Sequence, residues 1–516
     1  MAYLLGADIG TQGIKGVLLD ESLDVAAKSY IEHDYIQPKQ NWFEHDAEKT
    51  WWEGLNRIVR QLLEKACVSP KEILGIGCST ITPCMLPVDG DGKPLRNAIL
   101  YGIDTRSKEE LNEITAQLGE ERVLQIGRMP LSTQSVGPKI VWFKKNEPEL
   151  FARTKRIFTA SNYITYRLTG NFVLDHTQAA LFNPLYDFAT GEWEKEVCDS
   201  LGLSLDLFPE LKHCQDLAGT ITKKAATETG FTEGTPVVVG SGDALTEFVS
   251  GGGFSPGEVT IIYGTTGIIA ITTDNAPPMR EVFILPHPVL HDRYVSWGGT
   301  ATTGALTKWF RDNFGDVEKI IQERMQVSAY TLLSNQAEEI SPGSEGLIVL
   351  PYFSGERTPI NDPLARGVIM GLTTYHKRAH LYRALLEGAA YSFQHHFEVF
   401  ENYGFEISKV IACGGGAKSN LWVQIVSDVT GHDQLIPEIP LGAEIGSAYL
   451  AAKAIGVLDD IAAFIKNISN RNIRTVKSNP AHHTQYIDYY KIYRSLYEGI
   501  KTEMHDLALK AEDTLK

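Results

Sequence analysis

A short motif written twice constrains this chain more than any other feature. Gly10-Thr11-Gln12-Gly13-Ile14 recurs as Gly264-Thr265-Thr266-Gly267-Ile268, about half of the 516-residue chain later. Apolar runs flank each copy: Tyr3 to Ala7 and Gly16 to Leu19 around the first, Val259 to Tyr263 and Ile268 to Thr272 around the second. Each copy therefore reads as strand, tight turn and return strand, a pattern that glycine and threonine favour on their own account. A repeat at half length points further, to two similar lobes. Single hydrophobic cores stop growing near roughly 250–300 residues, so a chain this long is expected to divide.

The segments between the repeats fill in the lobes. Val25 to Tyr30 adds a third strand to the first hairpin, giving an antiparallel meander. Trp51, Leu55, Ile58, Val59, Leu62, Leu63 and Ala66 fall at helical spacing and predict an amphipathic helix over 47–67. Ile73 to Cys78, Pro236 to Gly240 and Lys409 to Cys413 read as buried strands. The last runs through Gly414-Gly415-Gly416 into a helix carrying Leu421, Trp422, Ile425, Val426 and Val429 on one side. Leu441 to Ile455 reads as a helix of small residues, and Tyr486 to Lys516 as a terminal helix. Gly251-Gly252-Gly253 is the expected joint, giving lobes over 1–250 and 251–516.

Charge and cysteine usage exclude several classes. With 48 basic and 64 acidic residues the formal charge is −16, which argues against non-specific nucleic-acid binding. It does not forbid an anion held by backbone amides. The six cysteines are scattered without zinc spacing, and no run approaches the roughly 18 apolar residues of a membrane span. The first residues lack the basic and apolar regions of a signal peptide. The expectation is a cytoplasmic enzyme with neither nucleic-acid nor membrane partners; a homodimer stays open.

Several positions carry chemistry. Gly10, Thr11, Gln12 and Lys15 form a candidate phosphate cradle, with Asp8 at the strand end placed to organise Mg²⁺ through water. Gly264, Thr265 and Thr266 would hold the other side of a triphosphate, as phosphoryl transfer requires. Asp243 ends Gly240-Ser241-Gly242-Asp243 and can take the proton of an attacking hydroxyl or face the metal. For the residue in isolation, an aspartate bonding its own turn is the favoured account. Gly414, Gly415, Gly416 and Asn420 form a candidate nucleoside loop, or else a tight strand-to-helix connection. Trp42 could stack on sugar; Trp51, Trp52 and His395-His396 read more simply as packing.

Together these segments resemble the FGGY carbohydrate kinases. Ala7 to Lys15 is similar to the family's first phosphate motif, and Pro138-Lys139-Ile140-Val141-Trp142 to one signature. Gly367 to Leu372, with His380-Leu381 and Ala384 to Glu387, is similar to another. The resemblance implies an α/β, duplicated actin-like ATPase (ribonuclease H-like) fold, with two lobes around a central cleft. It implies ATP with Mg²⁺, a sugar or polyol acceptor, Asp243 as base and Asp8 as metal organiser. It also implies an adenosine site at Gly414 to Asn420 and a sugar site involving Thr82, Pro83, Asp104, Arg106 and Gln134. Leu350 to Pro359 is close to a stretch typical of the xylulose-phosphorylating members, so the expected acceptor is a ketopentose, D-xylulose first. Thr82-Pro83 and Ala244 depart from the pattern of those members. That keeps ribulose-like and aldonate acceptors such as gluconate in view, and, outside the kinases, an actin-like switch or a sugar sensor.

Overall fold

The computed structural model describes residues 2–514. Its frame is a pair of seven-stranded sheets. In the first, β1 (Tyr3–Ile9), β2 (Gly13–Asp20) and β3 (Val25–Glu32) form the expected antiparallel meander. β4 (Ile73–Thr80) lies parallel to β1, and β5 (Pro236–Val238) parallel to β4. In the second, β6 (Glu258–Tyr263), β7 (Gly267–Thr273) and β8 (Tyr294–Thr300) repeat the meander. β9 (Lys409–Cys413) lies parallel to β6, and β10 (Gln434–Pro437) parallel to β9. The order β3-β2-β1-β4-β5 thus recurs as β8-β7-β6-β9-β10. The duplicated turn is the visible part of a duplicated sheet.

Six helices matter here: α1 (Glu53–Ala66), α2 (Asp243–Gly251), α3 (Arg378–Asn402), α4 (Asn420–Thr430), α5 (Ala443–Ala454) and α6 (Pro480–Thr514). α1 buries Leu55, Ile58, Val59 and Leu62. A Cβ on Gly16 of β2 would lie 2.6 Å from Leu62, so glycine lets helix and strand touch. The sequence pattern placed this helix from residue 47. Ala47–Trp52 instead winds as a wider π turn, with Asp46 Oδ1 accepting from the Glu48 and Lys49 amides. The helix of small residues does something the sequence did not announce. α5 belongs to the second half of the chain but packs backbone to backbone on the first sheet. A Cβ on Gly6 would stand 1.9 Å from the Glu444 carbonyl, and one on Gly77 2.0 Å from that of Ser447. A Cβ on Gly446 of α5 would stand 1.9 Å from the Thr246 carbonyl of α2. The two helices therefore cross between the sheets, and Leu4, Val17, Val249, Ile445 and Tyr449 share one core cluster there.

Candidate active site

Each duplicated turn joins the first two strands of its sheet. In the first, the Gly10 amide donates to the Gly13 carbonyl at 2.9 Å. The Thr11 carbonyl faces His45 Nε2 at 3.1 Å, and Thr11 Oγ1 donates to the Tyr101 hydroxyl at 3.2 Å. Gln12 is exposed. In the second, the Thr303 and Ala305 amides donate to the Thr265 carbonyl at 3.1 and 3.0 Å, and the Gly304 amide to the Gly264 carbonyl at 3.0 Å. This turn is thereby fixed to the start of the helix Gly304–Phe314. Thr265 is exposed, and Gly264 and Thr266 are half-buried.

Asp8 is buried on the last turn of β1, opposite Lys15 on β2 and Ser79 on β4. Ser79 Oγ donates to its Oδ1 at 2.9 Å, and Lys15 Nζ stands 3.6 Å from Oδ2. Burial pushes its carboxyl up to about 6 despite the lysine. Asp243 is half-buried at the first residue of α2. β5 ends at Val238, two residues earlier than the sequence pattern suggested. Val239 and Gly240 turn away and bond Asp216 and Cys214; then Ser241 and Gly242 pair again with β4. Gly240 takes φ +73°, and a Cβ there would stand 2.2 Å from the Cys78 carbonyl. That kink delivers Asp243 to the cleft. The Ala244 amide donates to Asp243 Oδ1 at 2.7 Å. Burial, then the charge of Asp8, push its carboxyl up to about 8.

This coupling has a measurable consequence in the metal-free protein. A carboxyl raised from its unfolded value binds a proton on folding. Its stabilising share is complete below the unfolded value near 3.8 and is lost as pH rises through about 8. Asp243→Asn removes that loss. We expect the variant to gain on the parent in unfolding free energy, measured by urea denaturation, between pH 5 and 8.5, by about 1 kcal/mol or more, since one pK unit corresponds to about 1.4 kcal/mol. An advantage that is flat with pH would contradict the assigned shift.

The loop expected to hold a nucleoside, 414–420, is a tight connection whose glycines serve different ends. A Cβ on Gly414 would meet the Tyr263 backbone at 2.9 Å, and one on Gly416 the Trp422 ring at 2.8 Å; at Gly415 nothing lies within 4 Å. Gly414 and Gly416 are thus required by packing, and Gly415 alone faces open space. Asn420 is engaged already: its Oδ1 accepts from Arg474 Nη1 at 2.9 Å.

Among the residues expected at a sugar, Thr82 Oγ1 donates to Gln178 Oε1 at 2.9 Å, and the Thr82-Pro83 peptide is cis. A Cβ on Gly242 would lie 2.1 Å from Thr82 Cγ2, so Thr82 packs on the residue before Asp243. Gln134 Oε1 accepts from the Gly102 amide at 3.0 Å. Asp104 and Arg106 depart from the expectation of sugar contact. Both side chains are 0% exposed, and Arg106 Nη2 bonds Asp104 Oδ2 at 2.7 Å and its Nη1 bonds Glu44 Oε1 at 2.8 Å. The guanidinium lies over the Trp42 and Trp142 rings, 4.2 and 5.1 Å from their centroids. Trp42 is therefore engaged in this wall as well. Trp51 donates to His45 and Trp52 to Glu228, and His396 is buried, as packing roles require.

Sequence reasoning missed three residues that face this site. Tyr101 bonds Thr11 and feels the charges of Asp243 and Arg357. Glu247 follows Asp243 by one helical turn, and its carboxyl is pushed up by burial. Arg357 reaches the cleft from the second lobe. For Glu247 the i+4 spacing from Asp243 was a readable signal; for the other two there was none.

The comparisons agree with this architecture. Residues 3–249 match the N-terminal domain of the FGGY family of carbohydrate kinases and residues 259–455 its C-terminal domain. The xylulose kinase of Bacillus subtilis is 29% identical, over 99% of each chain. The gluconokinase of the same species is 27% identical, over 90% of this chain and 89% of its own. The crystal structure of xylulose kinase from Rhodospirillum rubrum superposes with a TM-score of 0.84 at 28% identity, covering 98% of this chain and 100% of that one. With the duplicated actin-like sheets, the interlobe carboxylates and both domain matches in hand, the chain belongs to the FGGY family of carbohydrate kinases and is a phosphotransferase acting on an alcohol group.

Proposed function

We propose that the protein transfers the γ-phosphoryl group of MgATP to the terminal hydroxyl of a ketopentose, D-xylulose, with Asp243 as the general base. One observation carries the reading. Asp243 stands at the joint of the two lobes, beside the sugar-side residue Thr82, within the electrostatic reach of Asp8 and Lys15 of the first phosphate turn. Its Oδ1 takes the Ala244 amide, and Oδ2 has no hydrogen-bond partner among the described residues. That oxygen is the one to receive a hydroxyl proton. Its raised affinity for a proton suits a base working near neutral pH.

The residues also fit Mg²⁺. Among the described residues no cluster of three or more His, Cys, Asp or Glu side chains is arranged as a metal cage. Asp8 and Asp243 supply two hard oxygen donors that disfavour each other's charge, and Mg²⁺ is commonly held by one or two carboxylates with phosphate oxygens and water. When bound, the ion would neutralise charge on the β- and γ-phosphates. The two Gly-Thr turns would bracket those phosphates, and closure of the lobes about α2 and α5 would exclude water. The named relatives support xylulose first and gluconate second.

ADP release over a panel of D-xylulose, D-ribulose, gluconate and glycerol tests the proposal. D-xylulose is expected to give the highest kcat/KM. Preference for gluconate would replace the acceptor, and no stimulation by any of them would remove the kinase reaction.

A further inference from the structure

Arg357 is a half-buried cation that the protein itself leaves unanswered. Its backbone is held from several directions. Its amide donates to Glu356 Oε1 at 2.7 Å, and the same oxygen accepts from the Ala301 amide at 2.6 Å. On its other side the Gly299 amide donates to Thr358 Oγ1 at 2.6 Å, and His396 Nε2 lies 2.9 Å from that hydroxyl. These bonds fasten residues 356–358 to the end of β8. The guanidinium lies over that strand end, with Nη1 3.7 Å from where a Gly299 Cβ would be. Yet its five N–H donors have no hydrogen-bond or ion-pair partner among the described residues. The adjacent Glu356 does not supply one. Its Oε1 is used by backbone amides, its buried Oε2 has no partner, and burial pushes its carboxyl up to about 8. Near neutral pH it is largely uncharged.

A partly desolvated guanidinium without a partner is costly, and its planar fork matches an oxyanion. Its position says which oxyanion. Gly299 and Thr300 pair with Ile268 and Gly267, the return strand of the second phosphate turn. On the opposite side is Tyr101, whose hydroxyl accepts from Thr11 of the first phosphate turn and whose ionised form the nearby guanidinium would favour. Arg357 therefore sits between the two turns, on the lobe opposite Asp243. Resting on the kinase reading above, we propose that Arg357 is a catalytic residue, donating to the phosphoryl group in transit between ATP and the acceptor. In that transfer the acceptor oxygen bonds the γ-phosphorus as the bond to the β–γ bridging oxygen breaks. The hydroxyl proton passes to Asp243, and the electron pair of the broken bond stays on ADP. Negative charge gathers on the equatorial phosphoryl oxygens, where a fixed cation stabilises the transition state more than the bound substrate.

Calorimetry with MgADP alone and with MgADP plus aluminium fluoride, a planar stand-in for the phosphoryl group, separates this role from a structural one. Arg357→Ala is expected to weaken the fluoride complex by about 100-fold or more while MgADP alone changes by less than about threefold. kcat on the best acceptor should fall in parallel with the fluoride affinity. Arg357→Lys should recover part of both, because the charge returns without the fork. Equal weakening of both complexes, or weakening of neither, overturns the assignment. So does a loss seen only as a raised KM for gluconate, which would give Arg357 to an acceptor carboxylate. If no acceptor stimulates ADP release from the parent protein but the fluoride arm behaves as expected, the kinase reading fails and the phosphoryl contact stands.

Discussion

Asp243→Ala is expected to lower turnover by about 10²–10⁴-fold while MgATP binding stays within a few-fold of the parent. The expectation follows from where the side chain stands. It is the first residue of α2, its Oδ1 is occupied by the next amide, and the turns at Gly10 and Gly264, proposed to hold the nucleotide, are built by other strands. Removing the carboxyl takes away the proton acceptor and one of the two proposed Mg²⁺ donors, but leaves Asp8, the phosphate oxygens and those turns to hold MgATP. Asp243→Asn sharpens the test. It keeps the size of the side chain and an oxygen for the Ala244 amide, but an amide cannot take the hydroxyl proton. It should therefore be as inactive as the alanine variant and more stable than the parent in the metal-free state at alkaline pH. Turnover by Asp243→Asn above about a tenth of the parent would remove the general-base role. Loss of MgATP affinity in step with turnover would move Asp243 to nucleotide binding instead.

The parts legible in the sequence are those whose cause is local. A glycine-threonine turn between two apolar runs is set by turn geometry, so both hairpins and the duplication could be read directly. The turn before Asp243 was legible because its glycines lie in the preceding residues, whereas the role proposed for the carboxylate came from the family resemblance. Other features depend on partners far away in the chain. The small residues of α5 announce close packing, but not that the first sheet is what they pack against; Gly6 and Gly77 carry the other half of that message. The three glycines at 414–416 looked like one device, whereas two of them answer to Tyr263 and Trp422. Arg357 acquires its place through bonds from Glu356 and Thr358 to the end of β8, some fifty-five residues earlier in the chain. No periodicity marks such an arrangement. Asp104 and Arg106 are instructive: the family resemblance implied sugar contact, whereas here the pair is buried, with Glu44, Trp42 and Trp142 packed against it.

That enclosure gives the largest expected effect on stability. Arg106→Ala should destabilise the first lobe by about 3–5 kcal/mol, the usual consequence of removing one partner from a buried ion pair. Asp104 would keep the Phe43 amide at 2.6 Å and the residue 106 amide at 3.1 Å, but it would lose the guanidinium that answers its charge. Glu44 would lose one of its two arginines and retain Arg96. The space over the Trp42 and Trp142 rings would empty as well, so the cost is packing and charge together. Arg106→Lys should recover only part of the loss, because an ammonium cannot bond Asp104 and Glu44 at once in the geometry of the fork. Thermal and urea denaturation of the three proteins measures this directly, with acceptor KM followed at a temperature where all are folded. A buried brace predicts a large fall in stability and a modest change in KM once the lobe is folded. A raised KM at unchanged stability would mean that Arg106 reaches the sugar after all, and that the wall formed by Trp42 and Trp142 opens when the acceptor binds.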